Sequence, residues 1–248
     1  IFHHWHVIRD VLMVIGRDGM LDLALTALSL MKDSHDQLGH VGSRPLKNIR
    51  PKEIKDIIEA LDHLAREIDS NLGFDPYLRQ CLRKKAVITL NLASSFGLSG
   101  SFLRANRNLY DNRPGSPGYM SAPTTQLADG GDTWARFIIR IREILASIEW
   151  LKQHPLLKED YDVPDDFLSK ELFKEAVFPL AFGQVDAPEG DVKISIFIDK
   201  KSNKLIYRIR TPAYFIAQAL PHLLSQADLK DLPLILYSLG ITAEEIDR

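Results

Sequence analysis

The sequence predicts a mostly α-helical protein of the α+β class. Long stretches of the chain carry apolar residues at steps of three and four, which is the period of an amphipathic helix. One region near the end instead alternates apolar and polar residues along two short runs, a pattern typical of a β-hairpin. No internal repeat or low-complexity tract is present in the sequence. We therefore expect a helical core with a small β-region attached to it.

The first helices are predicted from apolar periodicity and from turn residues. The segment Asp10–Lys32 contains two apolar helical stretches separated by the polar turn 16–19. Pro51 opens a strongly amphipathic helix, because proline suits the first helical position, and Gly73 ends this helix. Its core-facing residues are predicted to be Ile54, Ile57, Ile58, Leu61, Leu64, Ala65 and Ile68.

Capping residues and a polar loop organise the middle of the chain. Asp75-Pro76 suits the cap and first turn of a short basic helix that runs through Lys85. Residues Asn106–Gly131 are rich in Asn, Gly, Pro and Ser, so we expect an ordered loop rather than a linker between independent domains. Asp132 then caps the helix that we expect to be the longest, a central strut. Its core-facing stripe is Phe137, Ile138, Ile141, Ile144, Leu145, Ile148 and Leu151.

The last part of the chain contains the predicted hairpin and two apolar helices. Val192–Asp199 and Lys204–Arg210 alternate apolar and polar residues on either side of a polar turn. Apolar helices are predicted near Ala213–Ala227 and Leu229–Leu239, and we expect the first to be bent or broken at Pro221.

Composition narrows the possible functions. The 248 residues, 45% of them apolar, suffice for one large domain or for one domain with an appended lobe. The 31 Lys and Arg residues against 33 Asp and Glu lack the basic excess that holds nucleic acid. The single cysteine, Cys81, excludes an internal disulfide framework and a cysteine-held iron–sulfur cluster of this chain alone. The apolar runs are shorter than the roughly 20 residues that span a bilayer, so we expect a soluble or peripheral protein. The single cysteine indicates a reducing compartment.

Two groups of residues are candidate sites on spacing alone. His3 and His6 would share a helical face, with His4 between them, at a spacing that can hold a metal. Because no carboxylate or cysteine completes a ligand set, we expect a solvent-facing or partner-facing cluster and no metal site. Arg136 and Arg140 also share a helical face, and structural ion pairing is favoured for them over a functional role.

Five segments of the chain resemble, in order, the motifs of one protein family. The segments are Phe96–Ala105, Gly131–Glu143, Asp186–Asp191, Arg208–Phe215 and Glu245–Arg248. The corresponding motifs are Gly-x-(Ser/Thr)-Gly-x-x-Leu-Arg, a helix of the form Gly-Asp-x-x-x-Arg-Tyr-x-x-Arg-x-x-Glu, the turn Glu-Ala-Pro-Lys-Gly-Glu, Arg-x-Arg-x-Pro-x-Phe, and the ending Gly-Glu-Val-Asp-Arg. The family with these motifs is the hydrogenase-like large subunit of respiratory complex I.

The resemblance implies a division of the chain and a set of structural residues. Residues 96–248 are expected to form a hydrogenase-large-subunit-like helical core with the hairpin 192–210. Residues 1–95 form an N-terminal helical part of looser resemblance, in which Val41–Arg44 is similar to a Gly-Gly-Val element of the family. The structural positions of the family motifs fall on Gly97, Gly100, Arg104, Asp132, Arg136 and Arg140.

The resemblance also implies a function. The chain is expected to be a subunit of the peripheral arm of a proton-pumping NADH:quinone oxidoreductase, lining the chamber where a partner's iron–sulfur cluster reduces quinone. It would bind no cofactor alone and would assemble with the iron–sulfur subunit and other complex I subunits. The expected location is the matrix side of the mitochondrial inner membrane or the cytoplasmic face of a prokaryotic plasma membrane. Candidate residues of the quinone chamber are Arg208, Arg210, Gly240, Thr242, Asp247 and Arg248.

The chain departs from the family pattern in ways that alter this expectation. Related nickel–iron hydrogenases carry two Cys-x-x-Cys pairs, whereas this chain has Glu244–Asp247 where the second pair would fall, which excludes a hydrogen-activating site. The family's N-terminal β-region, with the His and Tyr that meet the quinone headgroup, has no counterpart. We therefore expect a shortened or divided subunit that a separate chain completes. The alternative is a degenerate structural subunit that keeps the fold and interfaces without a redox role.

Overall fold

The structure is a computed structural model that describes residues 1–38, 51–115, 121–153, 180–199, 204–225, 227–241 and 246. Within these ranges the helices are α1 (Phe2–Ile15), α2 (Asp18–Leu38), α3 (Pro51–Leu72), α4 (Pro76–Leu82), α5 (Leu90–Phe96), α6 (Ser101–Arg104), α7 (Thr133–Gln153), α8 (Pro212–Leu224) and α9 (Leu232–Leu239). The strands are β1 (Leu180–Ala187), β2 (Gly190–Asp199) and β3 (Lys204–Arg210), and short 3-10 turns cover Arg113–Gly115 and Leu229–Asp231.

The turn after α1 and the bounds of α3 lie near the predicted residues, whereas α1 begins at Phe2, before the predicted start at Asp10, and α2 continues past Lys32 to Leu38. Gly16 ends α1 in the left-handed conformation at φ 73°, and its N–H bonds to the Leu12 carbonyl at 3.0 Å. Asp75 caps α4 by accepting a hydrogen bond from the Leu78 N–H at 2.8 Å. The predicted end of α4 at Lys85 is wrong, because the backbone becomes extended at Arg83.

The long helix α7 begins after Asp132 as predicted. Within the described residues α7 spans 21 residues and α3 spans 22, and both adjoin residues outside the described ranges, so the expectation that α7 is the longest helix stays a prediction. Most of its predicted stripe is buried, and α7 packs against α1 and α3, so α7 runs through the main core. The stripe residues in that core are Phe137, Ile141, Ile144 and Ile148.

The predicted hairpin is confirmed, but the sheet has a third strand. The strand order is β1-β2-β3 with antiparallel pairing throughout, and the register matches Val185 with Val192 and Ile194 with Ile209. Periodicity did not reveal β1, because this strand begins with the unbroken apolar run Leu180–Phe182 and continues with a glycine. The hairpin turn 200–203 lies outside the described residues.

The helix α8 continues through Pro221 to Leu224, so of the two predicted alternatives the break is wrong, and the bend stays a prediction. Pro221 is exposed, and solvent can satisfy the backbone carbonyl that loses its helical partner at a proline. The last helix begins at Leu232, after the 3-10 turn.

Two apolar clusters hold the helices together. The larger cluster joins α1, α2, α3 and α7, and the smaller one joins α5, α6, α8 and α9. Because α1 also packs against α7 and α9, contacts cross the predicted division at residue 96, and that division stays a prediction. None of the helices in the described ranges has the length and apolar character needed to cross a membrane.

Candidate functional site

The inward face of α7 places three charged residues at the centre of the protein. Arg136, Arg140 and Glu143 follow one another at helical spacings, and each is at most 2% exposed. Asp132 fixes the start of this helix by accepting a hydrogen bond from the Ala135 N–H at 2.9 Å. Because an unpaired buried charge is very unfavourable, these side chains need partners from other parts of the fold.

Arg140 and Glu189 form a buried ion pair in which two guanidinium nitrogens face two carboxylate oxygens. Nη2 donates to Oε2 at 2.7 Å, and Nη1 donates to Oε1. His3 Nε2 lies 2.9 Å from the same Oε1, and Arg140 also donates to the Ser238 carbonyl at 3.1 Å. Burial favours a raised pKa for Glu189, but the charge of Arg140 and the hydrogen bond with His3 outweigh burial and lower this pKa to about 2. The Glu189 carboxylate is therefore ionised at neutral pH.

Glu143 is the second buried carboxylate of the cluster. His4 Nε2 lies 3.2 Å from one of its oxygens, and Arg104 Nε lies 2.7 Å from the other. Burial favours a raised pKa for Glu143, but the hydrogen bond with His4 and the charge of Arg104 lower the pKa below its ordinary value. Burial lowers the pKa of His4 to about 4 despite the contact with Glu143. At pH 7 His4 is neutral, and Arg104 balances the charge of Glu143.

A third carboxyl group, Asp186 at the end of β1, lies between two arginines. Its Oδ2 is 3.7 Å from Arg104 Nη1 and 3.6 Å from Arg113 Nε. Burial raises the pKa of Asp186 to about 6, although both arginines oppose this shift. For Asp111, burial also favours a raised pKa, but hydrogen bonds from Arg113 and Thr125 lower it to about 2. Of these two aspartates, Asp186 is the one that titrates close to neutral pH.

The turn between β1 and β2 is held against the motif Phe96–Ala105. A Cβ added to Gly100 would lie 2.7 Å from Gly190 Cα, so the two backbones touch. Ser99 Oγ accepts a hydrogen bond from the Asp191 N–H at 2.8 Å. The Tyr110 hydroxyl donates to the Asp191 carboxylate at 2.9 Å. These contacts fix the turn that carries Glu189 relative to the helices.

Arg136 is bound by loops rather than by a carboxylate of the described residues. It donates to the Gly131 carbonyl at 2.9 Å, to the Ala86 carbonyl at 3.1 Å and to Thr133 Oγ1 at 3.0 Å. Burial, with repulsion from Arg140, lowers the pKa of Arg136 to about 9. The expected ion pairing thus holds for Arg140 but not for Arg136, which ties the preceding loops to α7.

Segments that are far apart in the sequence meet in this buried cluster. Of the motif residues, Gly97 lies beside it, where it ends α5 at φ 67° and faces the Phe215 ring of α8. The predicted structural residues that take part directly are Gly100, Arg104, Asp132, Arg136 and Arg140.

The predicted quinone-chamber residues fall in three different environments. Gly240 is buried at φ 69°, and a Cβ there would collide with the Glu189 carboxylate. Arg208 and Arg210 are exposed on β3, and their side chains form no hydrogen bond or ion pair with the described residues. Three candidates and one motif segment lie outside the described residues: Thr242, Asp247, Arg248 and Val41–Arg44.

The expectation of a solvent-facing or partner-facing histidine cluster is wrong for His3 and His4. Both contact buried carboxylates because α1 packs against α7 and α9, whereas His6 is half-buried and meets the Phe2 ring edge to face at 4.5 Å. A signal was present in the sequence, since His4 occupies a helical stripe of apolar residues. The buried residues of that stripe are His4, Trp5, Ile8, Val11 and Leu12.

The charged side chains of the cluster bind mainly to one another. In the described ranges, no three His, Cys, Asp or Glu side chains are grouped so as to hold a metal ion. Its carboxylates are held by arginine or histidine, and they bind the β1–β2 turn, α1, α6 and α7 to one another. The acidic side chains Glu143, Asp186 and Glu189 are not among the predicted site residues, although Glu143 ends the motif Gly131–Glu143 and the other two lie in the motif Asp186–Asp191.

Comparison with known families assigns the chain to a protein family. The sequence profile described as "Respiratory-chain NADH dehydrogenase, 49 Kd subunit" matches residues 31–165 and 172–248. The chain therefore belongs to the family of the 49 kDa subunit of respiratory-chain NADH dehydrogenase.

Individual relatives have related names. The chain is 24% identical to an NADH-quinone oxidoreductase subunit of Herpetosiphon aurantiacus, over 79% of this chain and 54% of the relative. It is 27% identical to "NADH-quinone oxidoreductase subunit 4" of Thermus thermophilus, with the same coverage of 79% and 54%. A chloroplastic NAD(P)H-quinone oxidoreductase subunit of Pelargonium hortorum is 29% identical over 73% of this chain and 52% of the relative. The chain thus spans about half the length of the curated relatives it matches.

Proposed function

We propose that the chain is a subunit of a membrane-associated NADH:quinone oxidoreductase and forms part of the wall of the quinone-reduction chamber. An iron–sulfur subunit beside it would supply the electrons, and a separate chain would complete the chamber. The chain itself would supply fixed dipoles and cations that stabilise the charge of a reduced quinone or of its proton donors.

The observation that carries the proposal is the packing of Gly240 against the buried Glu189. Gly240 precedes the candidate chamber residues Thr242, Asp247 and Arg248 in the sequence. Its contact with Glu189 therefore connects this part of the chain with the buried charged cluster. Glu189 is itself held by Arg140 and His3, so Gly240 rests on a rigid base. A rigid base is what preorganised electrostatic stabilisation requires.

Three cavities near the surface of the described residues lie apart from Gly240 and the β3 arginines. A cavity of about 590 Å³ is lined by Phe74, Arg79, Trp134 and Arg142, among others, and Gly240 does not line it. Two further cavities, of about 400 and 460 Å³, also exclude Gly240 and the β3 arginines. We therefore assign none of these three cavities to the proposed chamber.

The second candidate function is a structural subunit without a redox role. It is favoured by the mutual pairing of the buried charges, which leaves Glu143 and Glu189 engaged within the protein. Such a cluster could serve assembly alone.

Replacing Arg248 with Ala separates the two candidates. In membranes of cells that make the variant, we expect the rate of quinone reduction by NADH to fall while NADH oxidation by an artificial acceptor continues, because only the chamber is altered. The amount of assembled complex, read from a native gel, is expected to stay unchanged. Arg66→Ala is the control, since Arg66 is an exposed arginine whose ion pair with Asp62 joins neighbouring turns of one helix and is screened by solvent.

Each outcome of this experiment is decisive. A selective loss of quinone reduction supports the chamber role. Joint loss of both rates and of assembled complex supports the structural role and rejects the chamber role. Unchanged values for all three measurements would reject both.

A further inference from the structure

Among the described residues, the three-stranded sheet is anchored to the rest of the protein at one end. Its buried residues lie at the β1–β2 turn, where Glu189 and Asp191 join the charged cluster. Away from this turn, β1 is exposed over Leu180–Val185 and β3 over Lys204–Arg208. Among the described helices, contact with the sheet is mainly that of α8 with β2. Most of the sheet therefore extends away from the helical body.

One face of the sheet combines exposed apolar residues with cations, and we call it the basic face. The register places Leu180, Phe197 and Ile206 in one row across the three strands, and Phe182 beside them is 75% exposed. The same register and the alternation of side chains along a strand place several basic residues on this face, with Asp199 opposite one of them at the far end. The basic residues are Lys193, Lys204, Arg208 and Arg210. At its anchored end the same face also carries Asp186 and Asp191, and Asp191 lies 3.9 Å from Lys193, so Arg208 and Arg210 are the cations of this face without an acidic partner among the described residues.

The opposite face, which we call the apolar face, carries no charged side chain among the described residues. Tyr207 on this face is 63% exposed, and Val185 and Leu205 are about half exposed. The residues of β2 and β3 on this face are Val192, Ile194, Ile196, Ile198, Leu205, Tyr207 and Ile209. An exposed apolar surface of this kind marks an interaction site.

The edges of the sheet are unpaired as well. Strand β2 is central, so β1 and β3 each have one free edge among the described elements. A sheet with free edges and with exposed apolar residues on both faces is prone to associate with other chains unless a partner covers it.

We propose that the sheet inserts into a groove of a protein partner whose wall opposite the basic face carries carboxylates. A lipid surface could cover one face of the sheet, whereas both faces here expose apolar residues, so a protein groove fits better. Arg208 and Arg210 have no acidic partner among the described residues, and carboxylates on the partner would offset the cost of desolvating these two charges in an interface. This inference rests on the proposed function for the existence of partner subunits.

Photo-crosslinking in the assembled complex tests the geometry. Benzoylphenylalanine replaces Phe182 on the basic face in one variant and Tyr207 on the apolar face in another. We expect both positions to link to protein segments of one partner subunit, and the segment linked to position 182 to contain Asp or Glu. Links to lipid, links within this chain, or no link from either position of an assembled complex would overturn the proposal.

Charge reversal tests the chemistry. Arg208→Glu with Arg210→Glu is expected to lower the amount of chain in the assembled complex by about tenfold, because two like-charged contacts replace two attractive ones. Reversing the linked acidic residues of the partner to lysine should restore assembly. The control is Lys52→Glu with Lys55→Glu, the same charge change at exposed positions of α3, which should assemble as the unchanged chain does.

These experiments distinguish failure of the groove proposal from failure of the proposed chamber function. Normal assembly of the charge-reversed chain would overturn the groove, whatever the quinone reductase rate. Cross-links from both faces, combined with no effect of Arg248→Ala, would support the groove and reject the chamber.

Discussion

The buried pair Arg140–Glu189 gives a stability prediction that can be worked out from the structure. Both side chains are at most 3% exposed, and Glu189→Gln preserves shape while removing the negative charge. Arg140 would then be a buried cation with only neutral acceptors around it. We expect the free energy of unfolding to fall, because the cost of burying the guanidinium is no longer offset.

Two independent considerations give the same magnitude. Removing one partner of a buried ion pair costs about 3–5 kcal/mol. The lowering of the Glu189 pKa from 4.5 to about 2 corresponds to about 3 kcal/mol of preference for the charged form, at about 1.4 kcal/mol for each unit. We therefore expect Glu189→Gln to lower the free energy of unfolding by about 3 kcal/mol at pH 7.

Urea unfolding followed by tryptophan fluorescence measures this difference. Trp5 is 1% exposed in the main core, so its emission reports loss of native packing. The control is Glu67→Gln, because Glu67 is half-exposed on α3 and contacts His63 at 3.9 Å, and its change should stay within about 0.5 kcal/mol. A loss below about 1 kcal/mol for Glu189→Gln would refute the view that this ion pair holds the β1–β2 turn on α7.

Two further predictions concern Gly240 and Asp186. Gly240→Ala should lower the free energy of unfolding by more than Gly16→Ala, because both glycines have positive φ, worth about 1–2 kcal/mol of strain, but only at Gly240 would a Cβ collide with Glu189. Urea unfolding of the two variants decides, and equal losses would contradict the close packing. The raised pKa of Asp186, about 6, means that its contribution to stability is present below pH 3.8 and is lost as pH rises through 6. Asparagine does not titrate, so the free energy of unfolding of Asp186→Asn minus that of the unchanged chain should rise by about 3 kcal/mol as pH increases from 3.8 to 6 and then level off. A difference that does not depend on pH would contradict the raised pKa of Asp186.

Local features of the fold could be read from the sequence. Apolar periodicity located α3 and α7, and Asp75 and Asp132 marked helix starts, because capping and amphipathic burial depend on residues a few positions apart. The hairpin of β2 and β3 was visible for the same reason. Strand β1 was not visible, since its side chains lack alternation and its pairing with β2 supplies the order.

The sequence by itself determined the fold class, the positions of most helices and the family-like motifs with their order along the chain. Only the tertiary structure decided which charges meet. The pairing of Arg140 with Glu189 joins residues 49 positions apart, and that of His3 with Glu189 spans 186 positions. No periodicity links residues at such separations, because burial in a common core selects the partners and an unpaired charge there is too costly to keep.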